Sequence, residues 1–496
     1  MLNFKIYTMK FLKHITILIT TIFLTSSCTD YVDFDPKENY EITADVYFNS
    51  VNDYEAAVVG AYDPLQWMYL NILIGDIASD NSLSGGESAT DVIGLQQIDN
   101  MTHNPNNDNL TSIWKWTYEG INRTNYLEQN KAKLDFPKKT ALFGEVYFLR
   151  AYYYFELVKF FGDVPLVIDK RLTASDSGTL QRTPKSQVYA QIEKDLLAAI
   201  AALPTAQSQR GRVTKFAAQA LLGKVYLYQN KFTEAAATLE NIIGVYSLLP
   251  NYGNQFLRAG ENGIESVFEI QHTNTSNWWD WGFTPQGTEG NFGVIHNGPR
   301  AFLGPNYASG WSFNIPTKTL FDSYATGDTR RNASILDIDA FAISTGASYA
   351  KGYKHTGYFN HKYIPRAGES GAQTELNYLT NYRAIRYADV LLMAAEAHNR
   401  KTAPDDAKAR TYLNLVRRRA FGNSNNDITA SGDALKNAIW AERNFELAME
   451  GHRFFDLVRT GQAGSKINGF VVGKHEIFPI PQQEIDISKL TQNPNY

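Results

Sequence analysis

The segment from Gly144 to Val167, GEVYFLRAYYYFELVKFFGDVPLV, constrains the fold more than any other, because it combines helical length with many large apolar side chains. Its polar residues recur at helical spacing along one narrow stripe. The stripe consists of Glu145, Tyr152, Glu156 and Lys159. We therefore predict a helix that is buried on most sides and touches water only along this stripe. Gly162 and Pro165 are expected to end it.

Arg150 lies on the same predicted helix, away from the polar stripe. A guanidinium among apolar side chains needs a carboxylate partner inside the packing, because an unpaired buried charge is costly. We expect a structural ion pair here in preference to a ligand contact.

Helix pairs rich in alanine, leucine and tyrosine recur along the chain. They cover residues 144–162 with 185–203, residues 214–229 with 233–243, and residues 382–400 with 407–421. Small residues packed against aromatic ones on short antiparallel helices are typical of tetratricopeptide-like units, which need neighbours to bury their faces. The predicted fold class is therefore mainly α, with such pairs stacked into a curved scaffold. The intervening segments, including a long predicted loop over 75–109 and an extended C-terminal end, would form an irregular lobe.

Composition and motifs exclude several function classes. The net charge of -4 gives no electrostatic footprint for nucleic acid. A single cysteine excludes intramolecular disulfides, cysteine-based zinc sites and CxxC redox chemistry. The sequence contains no HExxH, nucleophile elbow, Walker loop or GxGxxG motif. We accordingly predict no catalytic residues, no metal site and no cofactor.

The N-terminus has the pattern of an export signal. Lysines precede an apolar run from Ile15 to Leu24, and small residues then lead to Cys28. The placement of Cys28 resembles a bacterial lipobox, in which the cysteine is acylated and becomes the first mature residue. We predict a signal peptide over 1–27, then the lipidated Cys28 with an acidic tether over 28–49, and a folded part over 50–496. Two or three acyl chains would attach such a protein stably to a membrane.

Several segments, in order, resemble the SusD/RagB family of glycan-binding lipoproteins. These are FLRAYYYFELVKFFGDVPLV, VTKFAAQALLGKVYLY, IRYADVLLMAAEA, LNLVRRRAF, ERNFELAMEGHRFFDLVRTG, IPQQEI and QNPNY. The resemblance implies four tetratricopeptide-like helix pairs, with an N-terminal part over about 50–250, a loop-rich lobe over about 250–380 and a C-terminal part over about 381–496. It also implies an outer-membrane lipoprotein at the cell surface, which delivers oligo- or polysaccharide to a SusC-like TonB-dependent transporter.

Exposed flat aromatic rings beside carboxylates or amides are the groups that a sugar-binding site needs, because sugars offer apolar C–H faces and hydroxyl edges. In the loop-rich lobe, Trp278, Trp279 and Trp281 flank Asp280 within NTSNWWDWGFTPQG. In the family, the early glycine-rich region also contributes ligand contacts. Trp67, Asp80 and Asn81 lie in or just before this region, so the resemblance makes them further candidates for ligand contact.

Two other functions remain open. Glu442, Glu446 and Glu450 could be mistaken for glycoside hydrolase carboxylates, but four-residue spacing places them along one helix face, which favours an ion network. The arginines at 417–419 are likewise expected to be structural. A peptide-binding or scaffold protein is the second alternative. Among glycans, a neutral β-glucan such as laminarin is expected, because the tryptophan-rich loop has few cations, with α-glucans and chitin oligomers as alternatives.

Overall fold

A computed structural model of the protein describes residues 47–275, 289–371 and 374–496. The predicted signal peptide, Cys28 and most of the predicted tether lie outside these residues. In the N-terminal half the helices are α1 (Val51–Tyr62), α2 (Tyr69–Ile77), α3 (Ile93–Asp99), α4 (Asp108–Gln129), α5 (Lys139–Phe161), α6 (Lys185–Ala202), α7 (Lys215–Tyr228) and α8 (Phe232–Glu240). They continue as α9 (Lys318–Ser323), α10 (Arg330–Ser334), α11 (Ile338–Thr345), α12 (Tyr387–Arg400), α13 (Asp406–Phe421), α14 (Gly432–Glu446), α15 (Arg453–Arg459), α16 (Ala463–Lys466) and α17 (Gln482–Ser488).

The long helices pack side by side in chain order. Helix α5 lies between α4 and α6, α6 packs on α7, and α7 packs on α8. Helices α8 and α12 are separated in sequence by the lobe but contact each other directly. Helix α12 in turn packs on α13 and α14. The predicted pairs α5 with α6, α7 with α8, and α12 with α13 are thus confirmed, as is the mainly helical, tetratricopeptide-like fold class.

Helix α5 is the buried helix that the sequence predicts, but only Tyr152 and Lys159 of its polar stripe are partly exposed. Glu145 and Glu156 are both buried. Glu145 accepts a hydrogen bond from the Tyr62 hydroxyl at 2.6 Å and forms an ion pair with Arg212 at 3.1 Å. Glu156 pairs with Lys159 at 2.6 Å. The expectation of an exposed stripe was wrong for these two glutamates, because each has polar partners inside the packing, Lys159 of the same helix and Asn71 in the case of Glu156, which makes their burial tolerable.

Short strands form two-stranded antiparallel sheets, most of them in the lobe. They pair as β1 (Ser82–Leu83) with β4 (Ile315–Pro316), β2 (Ser266–Ile270) with β10 (Tyr382–Arg386), β3 (Arg300–Leu303) with β6 (Ser348–Ala350), β5 (Ile335–Asp337) with β7 (Tyr358–Asn360), and β8 (Ser370–Gly371) with β9 (Thr374–Tyr378). Sheets this small depend on packing for stability. Phe302, Ile338 and Phe359 supply it in one cluster of the lobe.

Three predicted boundaries were wrong. Residues 382–386 form strand β10 instead of the first turn of a helix, because this stretch pairs with β2 and carries Arg386 to buried carboxylates. The predicted loop over 75–109 contains the end of α2 and all of α3. The predicted extended C-terminal end contains α17, which begins directly after Pro481, a residue suited to a helix start.

None of the helices within the described residues is both long enough and apolar enough to cross a membrane. The predicted division of the folded part at about residues 250 and 380 stays a prediction.

Candidate functional site

Trp278, Trp279, Asp280 and Trp281 lie outside the described residues, but the structure fixes both ends of the segment that carries them. The Thr273 amide donates to the Glu289 carbonyl at 2.8 Å, so the two ends run side by side. The Gln66 side-chain amide donates to the Gln271 carbonyl at 2.8 Å and to a Glu289 carboxylate oxygen at 3.2 Å. The tryptophan-bearing segment, residues 276–288, therefore starts and ends beside the turn that contains Gln66.

Trp67 lies in that turn, a 3₁₀ helix over Asp63–Trp67 with Pro64 at its start. Its side chain is only 6 % exposed. The Arg123 guanidinium lies 5.1 Å from the centre of the indole and forms an ion pair with Asp63 at 2.7 Å. The ring thus packs as part of the core and anchors the turn. Direct contact between Trp67 and a ligand stays a prediction.

Asp80 and Asn81 lie beyond the other end of α2, apart from Trp67. The Asp80 carboxylate receives two hydrogen bonds from Arg453, at 2.7 and 2.8 Å. The Asn81 amide is buried and donates to Asn444 at 2.8 Å. Both residues line a cleft of about 720 Å³ whose described lining residues include no aromatic side chain. Their part in ligand binding also stays a prediction.

An aromatic cluster that the sequence did not single out lies next to the tryptophan-bearing segment. We call it the Trp311 cluster, and it consists of Trp311, Phe292, His296, Tyr69 and Trp116. Trp311 lies 5.4 Å from Phe292 and 5.3 Å from His296, between ring centres. Tyr69 lies 4.9 Å from Phe292 and 5.9 Å from Trp116. Trp116 and Trp311 are each partly exposed.

Local hydrogen bonds hold this cluster in shape. The Asn291 side chain accepts from the Gly293 amide at 3.0 Å and so caps a 3₁₀ helix over Phe292–Asn297. The Trp311 amide donates to the Ile295 carbonyl at 2.7 Å. Burial lowers the pKa of His296 to about 4, so its imidazole is neutral at pH 7 and stacks on Tyr69 at 5.1 Å. A neutral ring adds flat surface to the cluster without adding charge.

Charged side chains border Trp311. The Arg300 guanidinium donates to the Trp311 carbonyl at 2.7 Å, and it lies 3.5 Å from a Glu87 carboxylate oxygen and 3.6 Å from one of Asp91. The Glu87 side chain is 80 % exposed. Long contacts between partly exposed charges are weak, so these groups can exchange partners with sugar hydroxyls. Arg300 thus joins the Trp311 backbone to two carboxylates, so polar groups that can hydrogen-bond to a sugar lie near the residue whose indole belongs to the cluster.

The sequence named neither this border nor the cluster as a site. Trp311 was not among the candidate residues, and Glu87 lies more than 200 residues from Arg300 along the chain. Only the folded structure brings these groups together.

The three glutamates at 442, 446 and 450 form the predicted ion network, but they do not share one helix face, because α14 ends at Glu446 and Glu450 lies beyond it. Glu446 is fully buried and pairs with Arg386 at 2.9 Å and with Arg419 at 2.6 Å. Glu450 pairs with Arg386 and Lys362, each at 2.7 Å. Burial raises the pKa of Glu446, but the surrounding arginines outweigh it and hold that pKa below its ordinary value. All three glutamates are buried and ion-paired, and the arginines at 417–419 are structural, as predicted.

Two family models match the chain. Residues 339–476 match the model described as the SusD family, and residues 30–227 match the model described as "Starch-binding associating with outer membrane". Among curated proteins, the chain is similar to SusD-like protein P2 of Formosa agariphila, with 28 % identity covering 96 % of this chain and 99 % of the relative.

Solved structures agree with this assignment. A laminarin-binding SusD-like protein shares 37 % identity with a TM-score of 0.82, covering 90 % of this chain and 100 % of that protein. Surface glycan-binding protein A from Bacteroides thetaiotaomicron, solved in complex with laminarihexaose, shares 30 % identity with a TM-score of 0.77, covering 90 % of this chain and 100 % of that protein. The chain therefore belongs to the SusD/RagB family.

Proposed function

We propose that this protein is a cell-surface glycan-binding lipoprotein that captures oligo- or polysaccharide and delivers it to a SusC-like TonB-dependent outer-membrane transporter. The observation that carries glycan capture is the aromatic cluster around the partly exposed Trp311, whose backbone carbonyl accepts a hydrogen bond from Arg300 and through it lies near Glu87 and Asp91. This surface supplies both interactions that a sugar ring needs, stacking on one face and hydrogen bonds at its edge.

The proposed ligand is a neutral β-glucan such as laminarin. Two similar solved structures are named for laminarin or a laminarin oligosaccharide. The charges around Trp311 are of both signs, so the surface has no excess of cations to select an acidic glycan. Isothermal titration calorimetry, which measures the affinity for laminarin, starch and chitin oligomers, tests this proposal. Binding of laminarin alone is expected, and binding of starch in its place would overturn the choice of ligand.

We propose that the protein does not cleave the glycan. The carboxylates that most resemble a hydrolytic pair, Glu442 and Glu446, are buried and ion-paired, so neither can reach a glycosidic bond. Incubation with laminarin followed by a reducing-end assay checks this, and sustained release of reducing ends would favour a glycoside hydrolase. Absence of binding to every glycan, together with binding of peptides, would favour the peptide-binding or scaffold alternative.

Delivery to a transporter and anchoring through Cys28 complete the proposal. The description of the matching family model, which includes association with the outer membrane, supports a location at that membrane. Affinity purification of the tagged protein from solubilised outer membranes should co-purify a TonB-dependent transporter. Recovery of the lipoprotein without one would contradict the proposed partnership.

A further inference from the structure

A groove of about 800 Å³ opens beside Glu289, at the end of the tryptophan-bearing segment. We call it the Gln66 groove. One wall is the outward face of α1, where Ala56, Val59 and Gly60 lie at helical spacing. The opposite wall comes from residues 209–212, and β2 contributes Phe268 and Ile270. Its volume falls in the range of about 300–1,000 Å³ that is typical of ligand-binding pockets.

The groove is lined by both apolar and polar side chains. Among the apolar ones, Val59 is 57 % exposed. Among the polar ones, Gln66 and Glu289 lie next to the ends of the tryptophan-bearing segment. Such a lining suits a neutral, polyhydroxylated chain, because apolar C–H faces and hydroxyl edges recur along it.

Two arginines line the groove in the wall formed by residues 209–212, and only one of them forms ion pairs with described residues. Arg212 is neutralised by Glu55 at 2.6 Å and by Glu145 at 3.1 Å. Arg210 is exposed and forms no ion pair or hydrogen bond with the part of the chain that the structure describes. Its guanidinium is therefore available to donate hydrogen bonds to a ligand in the groove.

We propose that the Gln66 groove is a second subsite, which holds the continuation of the glycan chain that stacks at the Trp311 cluster. This inference rests on the proposed function. Glu289 lines the groove, and Phe292, three residues later, belongs to the cluster. Three residues span at most about 11 Å. The two surfaces are thus close enough for one oligosaccharide of several sugar units to contact both, whereas a short one contacts only the cluster.

Gly60 allows a direct test, because a Cβ atom added there would meet nothing within 4 Å. Gly60→Trp places a large side chain in the groove, and Gly60→Ala is the matched control that makes the same backbone change and leaves the groove open. Isothermal titration of each variant uses laminarihexaose and laminaritriose. In the wild type and in Gly60→Ala, the hexaose should bind about ten-fold more tightly than the triose. In Gly60→Trp this advantage should disappear, while triose affinity stays unchanged.

The outcomes separate the inference from the proposed function. Hexaose binding by Gly60→Trp at the wild-type affinity would overturn the subsite and leave glycan capture intact. An equal loss for both lengths would also overturn it, since the groove would then not act as an extension. If the wild type binds neither oligosaccharide, the proposed laminarin ligand fails and the inference fails with it. Arg210→Ala, which does not alter the shape of α1, should weaken only hexaose binding, by a few-fold.

Discussion

Arg150 and Asp195 join the two most closely packed helices of the scaffold through a double hydrogen bond. Two guanidinium nitrogens of Arg150, on α5, donate to the two carboxylate oxygens of Asp195, on α6, each at 2.8 Å. Both side chains are buried. This is the carboxylate partner that the sequence predicted for Arg150, and the two-point geometry fixes the relative rotation of the two helices.

Removal of the carboxylate from this pair should strongly destabilise the fold. Asp195→Leu leaves the Arg150 guanidinium buried without its counter-charge, which typically costs about 3–5 kcal/mol. The midpoint of urea unfolding, followed by circular dichroism, should fall clearly. Asp427→Leu is the matched control, because Asp427 pairs with the exposed Arg418 at the surface and its loss should leave the midpoint almost unchanged. A similar shift for both variants would contradict the structural role of the buried pair.

Trp311→Ala should weaken laminarin binding about ten-fold, because an aromatic contact of this kind is worth roughly 1–2 kcal/mol. Isothermal titration at pH 7 measures the change. Trp440→Ala is the control, since Trp440 is a half-buried indole on α14 beside Arg400 and Lys436. Equal losses in the two variants would indicate general damage to the protein and would argue against a stacking role for Trp311.

Single alanine replacements of Trp278, Trp279 and Trp281 test the loop that the sequence singled out. At least one of them should lower the affinity for laminarin by about ten-fold, for the same stacking reason. None should change thermal stability much if the indole stacks on ligand and not on the core. Wild-type affinity in all three variants would remove this loop from the binding site.

Acid should destabilise the fold partly through His296. Burial lowers the pKa of this side chain from 6.5 to about 4, so between these values the unfolded chain binds a proton that the folded one does not. The stabilisation from keeping His296 neutral in the fold is fully present above pH 6.5. As the pH falls from 6.5 towards 4, the free energy of unfolding decreases by up to about 3 kcal/mol. The variant His296→Phe keeps a ring beside Tyr69 but cannot titrate. Its unfolding midpoint should therefore drop less between pH 7 and pH 5 than that of the wild type, and parallel drops would refute this assignment.

Cys28→Ala should release the exported protein from the membrane, because the substitution removes the only thiol that could be acylated. Fractionation of cells that express the two forms, with detection by immunoblot, measures the distribution. The wild type is expected in the outer-membrane fraction and the variant in the soluble fraction. Retention of Cys28→Ala at the membrane would show that another part of the protein attaches it.

The helical scaffold was predictable because its signals are local. Apolar spacing identified α5, and an unpaired charge in that pattern predicted a partner for Arg150. The stripe of Glu145 and Glu156 misled for a related reason. Its spacing is that of a solvent-facing stripe. In the structure, however, Arg212 pairs with Glu145 and Asn71 donates to Glu156, and both partners come from distant parts of the chain. Periodicity reports which residues share a face and not what covers that face.

The border of Trp311 was not predictable in the same way. Glu87 and Asp91 stand in a stretch with the composition of a loop, and nothing near them in sequence indicates an arginine partner. Arg300 reaches them only because β3 and the early loop meet in the folded lobe. Sites assembled from several short, irregular segments leave no periodic signal, so sequence alone found aromatic residues and missed the charges that border them.

The network around Arg386 has a consequence for the order in which the chain can complete its structure. Arg330 and Arg386 precede Glu446 and Glu450, the carboxylates that neutralise them, by at least 60 residues. During export, these guanidinium groups therefore emerge when only part of their final set of carboxylates is present, Asp328 for Arg330 and Glu265 for Arg386. The charge balance of this part of the interior is complete only after Glu446 and Glu450 have been exported, so the C-terminal region supplies the last counter-charges that the buried arginines need.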